Sequence, residues 1–272
     1  MNFLEKLDAI QDKNNSLLCV GLDPVMEKLP ESLKESTNPF FDFNKTIIDA
    51  TQKYVSAYKP NSAFYEALGE RGVGELKATC DYIRIMYPEI PIIIDAKRAD
   101  IGNTNEGYTK YVFDYLQADA VTLQPYLGGE AIQPFLDRLE KGTIILCRTS
   151  NPGAGEFQDL PINNQPLYMH VANQVINIWN KNNNCLLVVG ATYPEELQQV
   201  RKLAGDMTFL VPGIGAQGGE VEATVKAGLN SKNAGLIINS SRSIIFASSG
   251  DDFADKARAA TATLKNQINE YR

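Results

Sequence analysis

The chain has 272 residues, of which 44% are hydrophobic and 22% are charged, a composition typical of a globular protein with a large core. Its formal net charge of −7 argues against a general nucleic-acid-binding protein, which would carry a basic surface. No apolar run approaches the roughly 18 residues of a membrane helix, and the charged first residues lack the apolar core of a signal peptide, so we expect a cytoplasmic protein that binds neither membranes nor nucleic acids.

Short apolar runs alternate with segments of helical periodicity along the chain. The runs cover residues 17–23, 55–60, 91–97, 120–124, 143–149, 186–191, 208–214 and 235–241. They are continuously apolar, as in parallel strands that are covered on both faces. Between the first two runs, Phe40, Phe43, Ile47 and Ala50 recur every three or four residues, as one helix face requires. The sequence therefore predicts a single α/β domain over residues 1–272, a (β/α)8 TIM barrel, with a doubly wound open sheet as the alternative.

Cysteine and histidine usage narrows the possible chemistry. The four cysteines form no C-x-x-C pair, and we expect them to be small core residues in a reducing compartment. The single histidine, His170, lies in a helical stretch. A catalytic triad based on histidine and a metal site with several histidines are therefore excluded.

Charged side chains fall where the first three predicted strands end. Asp23 ends the first strand, Lys59 the second, and Asp95 and Lys97 the third. In a barrel, the carboxyl ends of the strands form the rim that carries the chemistry. Asp95 and Lys97 are two residues apart, so on a strand they point to the same side, and Asp100 follows in the loop. With Lys59 they form a set of two carboxylates and two ammonium groups that keep one another ionised. A purely structural ion-pair cluster is the alternative.

The segment PGIGAQGG, which starts at Pro212, follows the seventh strand. It contains G-x-G-x-x-G, but it comes late in the chain, and no acidic residue lies about 20 positions on to hold a ribose. We predict instead a phosphate site made of backbone N–H groups around Gly213, the amide of Gln217, and Arg242 just after the eighth strand. Glycines that serve only tight turns are the alternative.

One connection, residues 150–166, is longer than a usual strand-to-helix loop. It has glycines near its start, polar residues in its middle and prolines near its end. We predict that it is a mobile active-site lid over the mouth of the barrel. A tolerated surface insertion is the alternative.

These segments together resemble the orotidine 5′-phosphate decarboxylase family, and within it the longer bacterial branch, the type 2 subfamily. The resemblance covers nearly the whole chain. Its strongest element is the D-x-K-x-x-D pattern of Asp95, Lys97 and Asp100. The supporting elements are GLDP at 21–24, YKPN at 58–61, TSNPGAGEFQ at 149–158, PGIGAQGG at 212–219 and SRSI at 241–244. The resemblance implies decarboxylation of orotidine 5′-monophosphate to uridine 5′-monophosphate, the last step of de novo pyrimidine biosynthesis, without a metal or other cofactor.

The resemblance also implies roles for single residues. Lys97 would donate the proton to C6 of the pyrimidine, and Asp95 would sit beside the departing carboxylate. Lys59 would pair with the aspartates and touch the ribose. Asp23 would bind a ribose hydroxyl, and Ser150 would read the edge of the pyrimidine.

The phosphate and the partner subunit complete the implied site. Gln217 and Arg242 would hold the phosphate, with Pro212, Gly213 and Ser241 among the substrate-binding residues. Asp100 and Thr104 would cross into the site of the partner, which makes the active site a property of a homodimer. The tripeptide between these two residues differs from that in many relatives.

Three other functions remain open at this stage. The first is a metal-dependent sugar-phosphate lyase, which would need an acidic ligand where this chain has Lys59. The second is an aldolase that forms a Schiff base on Lys97, but such a lysine prefers an apolar pocket to two flanking aspartates. The third is a catalytically silent phosphate-binding barrel, which would be expected to lose part of the Asp/Lys set.

Overall fold

The structure is a computed structural model that describes residues 1–214 and 218–272. Eight strands of the described chain belong to one parallel sheet. They are β1 (Leu18–Leu22), β2 (Ala57–Pro60), β3 (Ile93–Arg98), β4 (Ala120–Leu123), β5 (Gly142–Arg148), β6 (Cys185–Val189), β7 (Phe209–Pro212) and β8 (Leu236–Ser240). Each lies within one of the predicted apolar runs or overlaps it to within a residue or two.

Helices precede the first strand and connect the others. The longer ones are α1 (Phe3–Asn14), α2 (Pro39–Thr51), α3 (Gly69–Met86), α4 (Gly102–Thr109), α5 (Gly128–Leu136), α6 (Leu167–Gln174), α7 (Pro194–Ala204), α8 (Gly218–Gly228) and α9 (Phe253–Asn269). Helices α4 and α6 continue as wider π-helical turns, Lys110–Tyr115 and Val175–Trp179. Short helical turns are Met26–Lys28, Glu31–Lys34, Ser62–Glu66, Pro152–Ala154, Gly155–Gln158 and Arg242–Ile245. No helix in the described ranges is both long and apolar enough to cross a membrane.

The sheet closes into a barrel. Its strands run in the order β2-β1-β8-β7-β6-β5-β4-β3, which leaves β2 and β3 at the two ends. These ends meet through parallel bridges between Tyr58 and Ile92 and between Asn61 and Asp95. The N–H of Tyr58 also donates to the carbonyl oxygen of Pro91 at 3.0 Å. The predicted (β/α)8 barrel is therefore confirmed, and the open doubly wound sheet is wrong.

The inside of the barrel is apolar at the end where the strands begin. A buried cluster there includes Cys19, Ile93 and Ile144, and Phe3 and Leu7 of α1 pack into it. Helix α1 thus closes the amino end of the barrel, which leaves the carboxyl end as the open face. The four cysteines are free and buried, as predicted, and they are Cys19, Cys80, Cys147 and Cys185.

Candidate active site

Three predicted residues meet in one hydrogen-bonded group at the carboxyl end of the barrel. Lys59 Nζ, on β2, donates to Asp95 Oδ2 at 2.8 Å. Lys97 Nζ donates to Asp95 Oδ1 at 2.6 Å, so a different lysine occupies each oxygen of the carboxylate. The sequence prediction that Asp95 and Lys97 share a side is confirmed by this contact. We call Lys59, Asp95 and Lys97 the charged triad.

Opposite charges keep the buried members of the charged triad ionised. Burial alone would raise the pKa of the Asp95 carboxyl, but the charges of Lys59 and Lys97, and their hydrogen bonds, hold that pKa well below its usual range. Burial would likewise lower the pKa of the Lys59 ammonium, but the charges of Asp95 and Asp23 raise it above its ordinary value. The site therefore holds a fixed anion with a cation on each side.

The two lysines differ in how much solvent they reach. The Lys59 side chain is 4% exposed, whereas that of Lys97 is 49% exposed. Lys59 is thus a buried structural partner of Asp95. Lys97 presents its ammonium group at the open face, where a ligand can meet it.

A cavity of about 390 Å³ lies beside this group, at the ends of β7 and β8. It is lined by Asp23, Gly213, Ile214, Asn239, Ser240, Ser241, Arg242 and Ser243. Asp23 joins the cavity to the charged triad, because its Oδ1 accepts the N–H of Asn61 at 3.1 Å, and Asn61 bridges to Asp95. Gly213 has a φ of 94°, a backbone conformation that is strained for a residue with a side chain. Glycine avoids this strain and leaves the backbone accessible at the cavity. Four of the residues predicted to bind substrate, Asp23, Gly213, Ser241 and Arg242, thus line one cavity.

Ser150 lies between the ends of β5, β6 and β7. A methyl group added at Gly190 would come within 2.8 Å of Ser150 Cβ, and one added at Gly213 would come within 3.4 Å of Ser150 Oγ. The close approach of the backbone at Gly190 therefore determines where Ser150 sits. Ser150 is next to the cavity, but it makes no direct hydrogen bond with the charged triad in the described part of the chain.

Asp100 and Thr104 are not brought into this group. Asp100 Oδ1 accepts the N–H of Ile101 at 2.7 Å, and no ion pair joins Asp100 to either lysine of the charged triad in the described ranges. Thr104 is exposed on α4. Within one chain, the predicted set of four alternating charges is therefore a set of three.

Gln217, predicted to hold phosphate, lies outside the described residues. Across residues 1–214 and 218–272, no group of three or more His, Cys, Asp or Glu side chains is placed to hold a metal ion.

A larger cavity, of about 560 Å³, lies at the opposite end of the barrel. It is lined near the starts of β6, β7 and β8 by Cys185, Thr208 and Gly235, with Asp206 and Arg272 at its edge. Chemistry in TIM barrels is performed at the carboxyl ends of the strands, so size alone does not make this cavity the active site.

Sequence reasoning missed two buried polar residues near the site. Thr122 of β4 donates its hydroxyl hydrogen to Asp95 Oδ1 at 2.9 Å. Arg148 of β5 donates to Asp159 Oδ2 at 3.2 Å and lies 4.6 Å from the ring centroid of Tyr193. Both occur within apolar runs, AVTLQ and TIILCRT. A polar side chain there needs a buried partner, and that signal was available in the sequence.

Comparison with known proteins agrees with this geometry. The model of the "Orotidine 5'-phosphate decarboxylase / HUMPS family" matches residues 16–257. The orotidine 5′-phosphate decarboxylase of Cellvibrio japonicus is 53% identical over 274 residues, covering 100% of both chains. That of a Janthinobacterium species is 48% identical, covering 100% of this chain and 99% of the relative. Among solved structures, the OMP decarboxylase of Leishmania donovani is 36% identical with a TM-score of 0.88, covering 100% of this chain and 98% of that one.

Proposed function

Because this chain belongs to the orotidine 5′-phosphate decarboxylase family and converts orotidine 5′-monophosphate to uridine 5′-monophosphate in pyrimidine biosynthesis, we propose that Lys97 is the acid that protonates C6 of the pyrimidine. The observation that carries the proposal is the position of Lys97. Its ammonium group is half exposed at the open face of the barrel and is held at 2.6 Å by the Asp95 carboxylate. Replacement of Lys97 by alanine tests the role, because the side chain is 49% exposed and its removal is expected to leave the fold intact.

The proposed step needs no electron sink in the protein. When the bond from C6 to the carboxyl carbon breaks, CO2 leaves and its electron pair stays on C6 as a carbanion. The Lys97 ammonium stabilises this developing charge and transfers a proton from Nζ to C6. Lys97 then takes a proton from solvent. Asp95 holds the ammonium group in place through a hydrogen bond of 2.6 Å.

A single preorganised group of this kind contributes about 10²–10³ in rate, which is small beside what slow decarboxylations require. Binding of the remote phosphate can supply more, because contacts far from C6 can hold the reacting end in a productive geometry. We place the phosphate in the cavity lined by Gly213, Ser241 and Arg242, and we keep Pro212 and Gln217 as further predicted substrate-binding residues. Asp23 lies between that cavity and the charged triad, where a ribose hydroxyl would be bound.

Arg242→Ala is expected to weaken binding of uridine 5′-monophosphate by about 10- to 100-fold, because a charge-assisted hydrogen bond to phosphate is worth about 1.5–3 kcal/mol. Binding of uridine, which has no phosphate, should not change. Titration calorimetry with both ligands measures the difference. Arg258→Ala, which removes an exposed arginine on α9, is the matched control. Equal losses for nucleotide and nucleoside would remove Arg242 from the phosphate site.

We also propose that the active site is completed by a second copy of the chain. Asp100 and Thr104 lie at the rim of the barrel without contacts to the charged triad, although the resemblance gives them site roles. Ile101, next to Asp100 in the chain, is 60% exposed, and Tyr126, in the loop after β4, is 85% exposed. Exposed apolar side chains of this kind, next to polar residues with a site role but no contact to the charged triad, are typical of an interface between subunits.

Mixing two inactive variants tests the shared site. In a dimer of one Lys97→Ala chain and one Asp100→Ala chain, one of the two sites would have both residues intact. Co-refolding the two variants in equal amounts is therefore expected to restore about a quarter of wild-type activity, since half of the dimers would be hybrids. The restored activity is measured against each variant refolded alone.

A matched mixture gives the control. Lys97 and Asp95 contact each other within one chain. A hybrid of a Lys97→Ala chain and an Asp95→Asn chain therefore has one defect in each of its two sites, so it should regain no activity. If Lys97→Ala with Asp100→Ala stays as inactive as this control, Asp100 acts within its own chain or has no role in the site.

We propose that residues 150–166 cover the pyrimidine as a lid, with Ser150 at its start. The segment contains Gly155–Gln158 and a small hairpin of Pro161–Ile162 with Gln165–Pro166. Gln158 ties it back to β5 by accepting the N–H of Thr149 at 2.8 Å. Phe157, 64% exposed, offers an apolar surface for closure.

The buried free cysteines fit the reducing cytoplasm, where we propose the enzyme works.

The rival functions fit these observations less well. A sugar-phosphate lyase would need an acidic ligand at the end of β2, where Lys59 is buried against Asp95. A Schiff-base lysine prefers an apolar pocket, whereas Lys97 Nζ lies 2.6 Å from the Asp95 carboxylate. A silent barrel has no need of a buried charged group, which is costly to maintain.

A further inference from the structure

Thr122 of β4 contacts two members of the charged triad, Asp95 and Lys97. Its side chain is buried, with the residue 1% exposed. Its Oγ1 accepts the backbone N–H of Lys97 at 3.0 Å and donates to Asp95 Oδ1 at 2.9 Å. We propose that Thr122 is the positioning residue that aims Lys97 at the substrate. This inference rests on the proposed function of Lys97 and adds to it a residue to which the resemblance gives no role.

The backbone of β3 explains why such a residue is needed. Ile94 pairs with Val121 and Arg98 pairs with Leu123, so three residues of β3 lie opposite Thr122 alone. This bulge puts Lys97 at a φ of 47°, a left-handed conformation that costs a side-chain-bearing residue free energy. Bulges near active sites commonly redirect a side chain. Here the bulge turns the Lys97 side chain back toward Asp95.

The Lys97 N–H loses its strand partner at the bulge. An unsatisfied backbone donor is costly, and the Thr122 hydroxyl accepts it. The hydroxyl oxygen accepts this bond through a lone pair, so the hydroxyl hydrogen is still available to donate to Asp95. One hydroxyl group thus stabilises the bulged backbone of Lys97 and the carboxylate that holds its ammonium group.

Thr122 also fixes the rotation of the Asp95 carboxylate. Oδ2 accepts from Lys59, while Oδ1 accepts from both Lys97 and Thr122. Without the hydroxyl, Oδ1 keeps only the half-exposed Lys97 as a donor. The carboxylate and the ammonium group would then be free to move together, away from the position that C6 requires.

The test compares valine and serine at position 122. Thr122→Val keeps the volume and removes the hydroxyl, whereas Thr122→Ser keeps the hydroxyl and removes a methyl group. We expect Thr122→Val to lower kcat by about 10²-fold, the cost of misplacing a reacting group by about 1 Å. Affinity for uridine 5′-monophosphate should stay within about threefold, because its phosphate and ribose contacts are elsewhere. Thr122→Ser should retain most of the wild-type kcat.

A role in packing alone makes the opposite prediction. The serine variant leaves a small cavity and would be the worse of the two, and losses would follow stability. If the valine variant has wild-type kcat, or if serine is more damaging than valine, the positioning role is wrong. Thr122→Ala supplies a second side chain without a hydroxyl, should the valine variant not fold.

Failure of this inference differs from failure of the proposed function. Full activity in Lys97→Ala would overturn the role of Lys97, whatever position 122 does. An inactive Lys97→Ala beside a fully active Thr122→Val would leave Lys97 as the acid and overturn only the role of Thr122. The two results are read in the same assay, the loss of ultraviolet absorbance as orotidine 5′-monophosphate is consumed.

Discussion

Lys97→Ala is expected to stop turnover while the fold and product binding survive. The variant loses the charge that stabilises the C6 carbanion, worth about 10²–10³ in rate, and the general acid, worth about 10²–10⁴. The side chain is 49% exposed, so its removal should change the free energy of unfolding by no more than about 1 kcal/mol. The measurements are kcat for orotidine 5′-monophosphate, Kd for uridine 5′-monophosphate and the midpoint of urea unfolding.

Two controls make this result specific. Lys45→Ala removes a lysine of similar exposure, on α2 and paired with Asp49, and it should keep full activity. Running the wild-type assay in excess chelator separates a metal-free reaction from a metal-dependent one. If Lys97→Ala kept more than about a tenth of wild-type kcat, Lys97 would not be the proton donor, since general acids contribute far more than that.

The barrel and the core of the site follow from sequence patterns because their causes are local. A continuous apolar run can be recognised as a buried parallel strand, and chemistry belongs at the carboxyl end of such strands. The contact of Asp95 with Lys97 was predicted from strand alternation. The structure reaches it differently, through a bulge that puts Lys97 at a φ of 47°.

What could not be predicted depends on register between distant segments. Thr122 faces Asp95 only because β3 pairs with β4 in one alignment, with three residues opposite one. Arg148 holds the segment 150–166 only because Asp159 folds back onto β5. Asp100 illustrates a different limit, because the role that we propose for it is in the site of a second copy of the chain, and one sequence carries no geometry between copies.

Asp95→Asn is expected to destabilise the fold by about 3–5 kcal/mol, the usual cost of leaving a buried charge without its partner. The unpaired charge is that of Lys59, whose side chain is 4% exposed. Denaturant unfolding followed by circular dichroism measures the loss.

The double variant Lys59→Met/Asp95→Leu is the control, because replacing both ions by apolar groups removes the buried charge altogether. It should be more stable than Asp95→Asn, although both should be inactive. Equal stability of Asp95→Asn and wild type would mean that Lys59 does not depend on this carboxylate.

The pH dependence of stability separates this charge effect from simple loss of packing. In the wild type, the folded pKa of Asp95 is lowered, so its contribution is present above its unfolded pKa of about 4 and is lost as the pH falls below it. The folded pKa of Lys59 is raised, so its contribution is present below its unfolded pKa of about 10.4 and is lost as the pH rises through the folded value. Wild-type stability should therefore vary little with these two groups at neutral pH.

In Asp95→Asn, burial becomes the dominant influence on Lys59 and lowers its folded pKa, so the unfolded chain binds more protons and stability rises with pH. The gap between variant and wild type should then narrow as the pH rises toward the unfolded pKa of Lys59, about 10.4, whereas a defect of packing alone would leave it constant.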